Sequence, residues 1–313
     1  MAPLDPAVAR ARSAVRRALA DVDPGSRVVV GLSGGADSLA LAAVVAFEAP
    51  RLALEVEAVV VDHRLQPGSS DVADAAAEQA RGLGLAARVV AVSVGTDGGP
   101  EAAARDARHA ALGAEDPDVV LLAHTLDDQA ETVLLGLGRG SGARSIAGMR
   151  PVSGVVRRPF LGLTRADTEQ VCRVHGLAWW DDPHNASAAF RRSRVRAEVL
   201  PLLEDVLGGG AAEALARTAD QLRDDADLLD ALAADALTDD AVTLAALHPA
   251  LRSRVLRRLA LDGGARPDEL AAHHLAEVDR LVTDWSGQVR VELPGHVSVR
   301  RVDGRLVVER TPG

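Results

Sequence analysis

The sequence predicts an α/β protein: a doubly wound parallel sheet followed by a second, smaller α+β domain. Three observations carry this. Up to about residue 140, short β-branched runs alternate with alanine-rich helical stretches, the pattern of a parallel sheet wrapped by helices. After that the alternation stops and long helical periodicities take over. The tail then alternates apolar and polar residues between turn dipeptides, as an antiparallel meander does.

Residues 6–22 carry the apolar period of an amphipathic helix. Arg27-Val28-Val29-Val30-Gly31-Leu32 is a β-branched run ending in glycine, read as a buried strand. Further strands fall at 54–61, 86–92 and 118–122, separated by helical stretches at 37–48, 70–83 and 100–113. Arg139-Gly140-Ser141-Gly142 is a loop. A helix covers 164–176, with Thr164 as its N-cap, and another covers 191–206. Gly208-Gly209-Gly210 marks the domain boundary, giving a catalytic domain over 1–207 and a C-terminal domain over 211–313. The second begins with one long helix at 211–236, followed by helices near 248–261 and 268–284. QVRVEL, HVSVRRV and RLVVER are its strands, split by Pro294-Gly295 and Asp303-Gly304.

The chain has 313 residues, 48% of them apolar, enough for a sizeable core without covalent staples. A formal charge of −10 excludes a general nucleic-acid coat and leaves room for a local basic patch. Cys172 is the single cysteine, so a disulfide framework, a CxxC pair and a cysteine zinc cage are excluded. Its helical setting reads as a buried small hydrophobe rather than a nucleophile. The start MAPLDPAVAR lacks the apolar stretch of a signal peptide, and no apolar run reaches the length of a membrane span. A cytoplasmic enzyme is the expectation.

The sharpest motif is Ser33-Gly34-Gly35-Ala36-Asp37-Ser38, directly after a strand and opening a helix. Its glycines let the backbone turn tightly against a ligand, and the helix offers free N–H groups and the positive end of its dipole. Ser33 and Ser38 add hydroxyl donors. Asp37 is repelled by phosphate and suits a Mg²⁺ ion riding on it. The chain contains no lysine, which excludes a Walker loop, and no GxGxxG occurs.

Other polar residues fall at strand ends or in pairs. Asp62 and His63 follow the second strand and His124 the fourth, where open α/β sheets bind ligands. Arg105 and Arg108 share a helical face, and Arg105 suits developing phosphate charge. Asp128 and Glu131 are three apart at a helix start. They suit Mg²⁺, or deprotonation of a cationic amine, or simply the helix dipole. A zinc site from His63, His124 and these carboxylates is poorly spaced.

The SGGADS loop matches the pyrophosphate loop of the N-type ATP pyrophosphatases. The segments Val61-Asp62-His63-Arg64-Leu65, Glu101 to Arg108, Ala123-His124-Thr125-Leu126-Asp127-Asp128-Gln129-Ala130-Glu131-Thr132, and Asp182-Pro183-His184-Asn185 with Phe190 to Arg196 narrow this. In this order they resemble the tRNA(Ile)-lysidine synthase family over about the first 205 residues. The family usually has Ser at His184, Asn at Ser193, often Arg at Gln66, and Tyr at His109.

The resemblance implies an adenine nucleotide alpha-hydrolase-like fold with ATP and Mg²⁺ as cofactors. ATP adenylates the carbon-2 oxygen of the wobble cytidine of an isoleucine tRNA with a CAU anticodon. The ε-amine of free lysine then displaces AMP, giving lysidine. It further implies that Ser33, Gly34, Gly35, Ala36, Asp37, Ser38, Asp62, His63 and His124 bind the nucleotide. Asp37, Arg105, Asp128 and Glu131 act in catalysis, with Asp37 and Asp128 on the metal. A tRNA-thiolating relative is the nearest alternative, disfavoured by the single cysteine. A small-molecule amidating enzyme and a non-catalytic nucleotide sensor are the others. Pyrophosphate release with ATP, lysine and tRNA separates them all.

Arginine concentrates at Arg191, Arg192, Arg194 and Arg196; at Arg252, Arg254, Arg257 and Arg258; and at Arg300, Arg301, Arg305 and Arg310. The first group, with Arg254 and Arg257, is the expected tRNA footprint, against a solvated surface paired with acids. Base stacking is expected from guanidinium planes or from Trp179, Trp180 and Phe190. A homodimer is compatible with the sequence, which does not fix the oligomeric state.

Overall fold

A computed structural model describes residues 4–64, 68–92, 100–139, 142–181, 191–287 and 289–311, the side chains of 100–102 and 139 excepted. The chain divides into two compact units. One is Met1–Leu135 with Gly148–Arg217, the other Gly136–Ala147 with Thr218–Gly313. No helix among the described residues is long and apolar enough to cross a membrane.

In the first unit α1 (Pro6–Ala18) leads into β1 (Arg27–Leu32), α2 (Ala36–Glu48), β2 (Glu55–Asp62), α3 (Ser69–Gly82), β3 (Ala86–Ala91), α4 (Pro100–Gly113) and β4 (Val119–Leu121). The chain continues through α5 (Leu126–Arg139) and α6 (Ala143–Ile146), of which Gly136 onward belongs to the second unit, and returns to the first with β5 (Val152–Ser153), β6 (Val156–Arg157) and α7 (Arg165–His175). The strands form one sheet in the order β3-β2-β1-β4-β6-β5. All neighbours are parallel except β5 against β6.

Period-2 alternation explains why β1 is apolar throughout. Val28, Val30 and Leu32 face a core shared with α1, α2, α3 and α7, while Val29 faces Leu112 of α4 on the other side. Helices thus cover both faces, and the order reverses between β1 and β4. That reversal leaves a crevice at the strands' carboxyl ends. Thr164 caps α7 reciprocally with Asp167, and Gly176 ends it at φ +66°. Cys172 is buried in the core, its Sγ donating to the Ala36 carbonyl, and burial pushes its thiol up to about 12.

The two-residue strands β5 and β6 are absent from the sequence expectation because they are too short to show a period. The expected helix at 191–206 is three segments: α8 (Arg191–Arg194), a π turn over Val195–Val199, and α9 (Leu200–Leu207). Pro201 lacks the N–H that would pair four residues back, so the ladder reforms with a wider turn ahead of it.

In the second unit α10 (Ala211–Asp235), which begins within the first, is followed by α11 (Ala241–Ala246), α12 (Pro249–Asp262) and α13 (Ala272–Thr283). The antiparallel sheet is β7 (Val291–Leu293), β8 (Val297–Val302) and β9 (Arg305–Arg310). Its core joins Leu244, Val255, Leu256 and Leu281 to Val297, Val299 and Leu306. The helix expected from 268 begins instead at Ala272, after a turn that contains Pro267.

Candidate active site

A cavity of about 430 Å³ lies at the carboxyl ends of β1, β2 and β4. Ser33, Asp37, Ser38, Asp62, His63, His124 and Asp128 all line it, so most of the sequence-predicted nucleotide residues meet in one place.

The loop between β1 and α2 is internally braced. The Ser33 N–H donates to Ser38 Oγ at 3.1 Å, the two hydroxyls lie 3.2 Å apart, and Ser38 Oγ donates to the Gly35 carbonyl at 3.0 Å. Gly35 precedes the first turn of α2 without a side-chain cap, so the amides that open α2 are available to an anion. Gly34 sits at φ +82°, and its carbonyl accepts from the Trp180 N–H at 3.0 Å. A Cβ there would lie 3.3 Å from Val72 Cγ1. Gly34→Ala is therefore expected to lower stability by about 1–2 kcal/mol, the cost of a left-handed L-residue. ATP affinity falls with it; thermal melting and ATP titration are the measurements, and native affinity would show that the loop does not hold the phosphates.

Asp37 opens α2 and accepts a short hydrogen bond from Thr168 Oγ1 and one from Arg165 at 3.3 Å. Burial pushes its carboxyl up, and the charge of Asp128 adds to this against Thr168 and Arg165. Asp62 turns into its own loop, accepting from the Arg64 N–H at 2.9 Å and Ser70 Oγ at 2.8 Å. Burial alone would raise it, but the bonds from Arg64, Ser69 and Ser70 hold it below its ordinary value.

Burial favours the uncharged form of both His63 and His124. Burial lowers His63, helped by Arg108. Burial pushes His124 down to about 4, with Arg158, Arg192 and Arg108 reinforcing and Asp128 opposing. Both ring nitrogens of His63 and Nδ1 of His124 are buried without a hydrogen-bond partner among the described residues. Buried polar atoms of this kind fit a ligand that supplies the missing bond.

Asp128 caps α5 and faces the cavity. Its Oδ2 accepts from the Thr125 N–H at 2.9 Å and Oγ1 at 3.1 Å, and its Oδ1 from Arg196 at 3.0 Å. Asp128 thus serves the start of the helix, as the dipole reading of the sequence allows, and the ion pair with Arg196 comes in addition. Burial alone would raise the carboxyl, yet the Thr125 amide, His124 and the arginines bring it below its ordinary value. Glu131 lies behind, 0% exposed, between Arg196 Nε and Arg192 Nε, the latter at 3.1 Å. It reaches the cavity only through those guanidiniums, both of which line it. Gln129, in the same motif, exchanges hydrogen bonds with the Met149 backbone and is structural.

Arg105 is exposed on α4 and outside the cavity lining, whereas Arg108 one turn on lies within it. Of the arginines expected on RNA, Arg192 and Arg196 point at carboxylates. Arg191 is exposed, and Arg194 is exposed and paired with Glu198. Arg254 pairs with Asp230, and Arg257 donates to the carbonyls of Leu270 and Pro267. Arg165 and Thr168 were not anticipated, while Arg108 and Trp180, noted for a shared helical face and for base stacking, line the same cavity. Arg165 and Thr168 lie 128 and 131 residues from Asp37, and their only sequence signal is the Thr164 cap that starts α7. Among the described residues no group of three or more His, Cys, Asp or Glu is arranged to hold a metal, zinc included.

The braced loop, the parallel sheet and the carboxylate-lined cavity define an ATP-utilising enzyme of the PP-loop class. The PP-loop domain family matches residues 8–203, and a family described as the TilS substrate binding domain matches 240–307. The tRNA(Ile)-lysidine synthase of Thermobifida fusca is 52% identical, covering 97% of this chain and 98% of its own length. That of Nocardia farcinica is 54% identical, covering 96% and 97%. The chain belongs to the tRNA(Ile)-lysidine synthase family. Among solved structures, a U34-tRNA thiolase from Methanococcus maripaludis shares the fold, with a TM-score of 0.58 and 19% identity over 69% of this chain and 78% of that one.

Proposed function

We propose that the cavity adenylates the wobble cytidine of an isoleucine tRNA and passes the activated base to free lysine. The enzyme is a carbon–nitrogen ligase that uses ATP to form lysidine. The observation that carries the mechanism is the meeting of the phosphate loop and Asp128 in one cavity. The loop amides and the Ser33 and Ser38 hydroxyls receive the phosphates. The neutral His63 and His124, with unpartnered nitrogens, offer hydrogen bonds without adding charge.

The donor set fits Mg²⁺. Two carboxylates line the cavity and feel each other's charge, and Mg²⁺ takes one or two carboxylates plus phosphate oxygens. Asp37 and Asp128 would hold it, and the ion supplies charge neutralisation at the phosphates. Asp128 also lines the cavity where the ε-ammonium would arrive, and is the carboxylate we assign to accept its proton before attack. Arg192 and Arg196 position Asp128 and Glu131, and Arg108, on the cavity wall one turn from Arg105, joins it as a cation able to offset phosphate charge. Exposed Arg191 and Arg194 remain the cations of that segment open to RNA phosphates. With tRNA as substrate the cytoplasm is the compartment of action.

The test is an incubation with ATP, lysine and isoleucine tRNA, following pyrophosphate, AMP and the modified nucleoside. All three appear together, and omission of lysine stops lysidine formation. Pyrophosphate release without tRNA dependence, or sulfur incorporation, would overturn the assignment.

A further inference from the structure

Trp285 stands just after α13, within the segment matched by the substrate-binding family. The chain has three tryptophans, three phenylalanines and no tyrosine, so each aromatic ring carries weight. Burying an indole is among the most favourable things a small core can do. Trp285 is nevertheless 49% exposed.

Its orientation is held. The Arg301 guanidinium, from β8, lies over the ring with its central carbon 5.0 Å from the centroid. Arg301 is fixed in turn by donating to the Leu281 carbonyl at 3.2 Å, in the last turns of α13. The segment that supplies Arg301 is cationic in composition: residues 289–311 hold five arginines against three acids, while the whole chain is −10. Arg290, Arg300 and Arg305 of that segment pair with Glu292, Glu309 and Asp239.

An oriented aromatic ring with a guanidinium on it, set in a cationic stretch, is the combination that recognises an unpaired nucleotide. The base stacks on the ring and the backbone is drawn to the arginines. We propose that Trp285 is a stacking platform for an unpaired base of the tRNA substrate. The proposal rests on the reading above that this substrate is tRNA.

The experiment measures isoleucine tRNA binding to the full-length protein with Trp285→Ala and Trp285→Phe over a series of salt concentrations. One stacked base is worth roughly tenfold or more in affinity, so Trp285→Ala is expected to weaken binding by that factor. Trp285→Phe keeps most of the affinity, because the stack needs a π-face rather than an indole. The slope of log affinity against log salt stays unchanged in both, since no phosphate contact is lost. ATP affinity and melting temperature stay unchanged as well. Native tRNA affinity in Trp285→Ala overturns the platform and leaves the indole as a contact for another partner. A loss accompanied by a flatter salt slope overturns it in favour of an electrostatic role. Lysidine formation by the unaltered enzyme is assayed alongside. Its failure overturns the tRNA reading itself, whereas its success with native binding in Trp285→Ala overturns only the platform.

Discussion

Asp37→Asn is expected to cut pyrophosphate release by roughly a hundredfold or more while leaving the fold intact. The carboxylate sits at the opening of α2 beside the phosphate loop, and its proposed task is to hold the cation that neutralises the phosphates. The amide keeps the shape and still accepts from Thr168 Oγ1. The same substitution carries a stability signature of opposite sign. Burial raises the Asp37 carboxyl, so it ionises less readily in the fold than in the unfolded chain. Its charge therefore costs stability at neutral pH; the cost is complete above the folded value and vanishes below the ordinary carboxylate range. Asp37→Asn removes it, so the melting temperature holds or rises as turnover falls. Steady-state pyrophosphate assays and thermal melts at neutral and mildly acidic pH read both effects. Turnover within a few-fold of native would sink the role given to Asp37.

Glu131→Ala is expected to cost about 3–5 kcal/mol of stability, because it removes the buried carboxylate that two guanidiniums share, leaving Arg196 with Asp128 alone and Arg192 with the Thr132 hydroxyl. Turnover falls as well, since Arg196 also holds Asp128 at the cavity wall. The helix-cap alternative makes a different forecast: losing the Asp128 cap alone costs about 1 kcal/mol and leaves chemistry untouched. Replacing Glu131 and Arg196 together by leucines separates stability from function. Volume-matched apolar side chains recover much of the stability of a broken buried pair, and activity does not return. Urea denaturation and single-turnover lysidine formation are the measurements. Native stability in Glu131→Ala would show that the cluster contributes little.

The alternation that announced the parallel sheet was legible because Val28, Val29 and Val30 are buried on both faces, and that demands a continuous β-branched run. The phosphate loop was legible for a local reason: strand, two glycines and helix start all lie within a dozen residues. What was not legible depends on distance. Nothing near Arg192 or Arg196 in the chain says that each meets the carboxylate of Glu131, more than 60 residues away. A run of arginines before a helix reads as a phosphate surface until the fold brings Glu131 between two of them. Arg105 and Arg108 show the limit of helical spacing: it put both on one face, both are exposed, and only Arg108 lines the cavity. The π turn at Val195–Val199 is an intermediate case, since Pro201 was in view but its effect fell on the residues before it.

The phosphate loop is held from two sides by a single neighbour. Thr168 and Arg165 on α7 take the Asp37 end, and the Trp180 amide, a few residues beyond α7, takes the carbonyl of Gly34. The receptor for the nucleotide therefore has its shape before the nucleotide arrives. The entropy of ordering the loop is met during folding rather than at each encounter, and association is governed by diffusion and charge instead of by a rearrangement. The arrangement also makes α7 a lever: a distortion of that helix by heat, by a substitution in its core or by a bound macromolecule is felt at once by the atoms that face the phosphates, without any change in the loop's own residues.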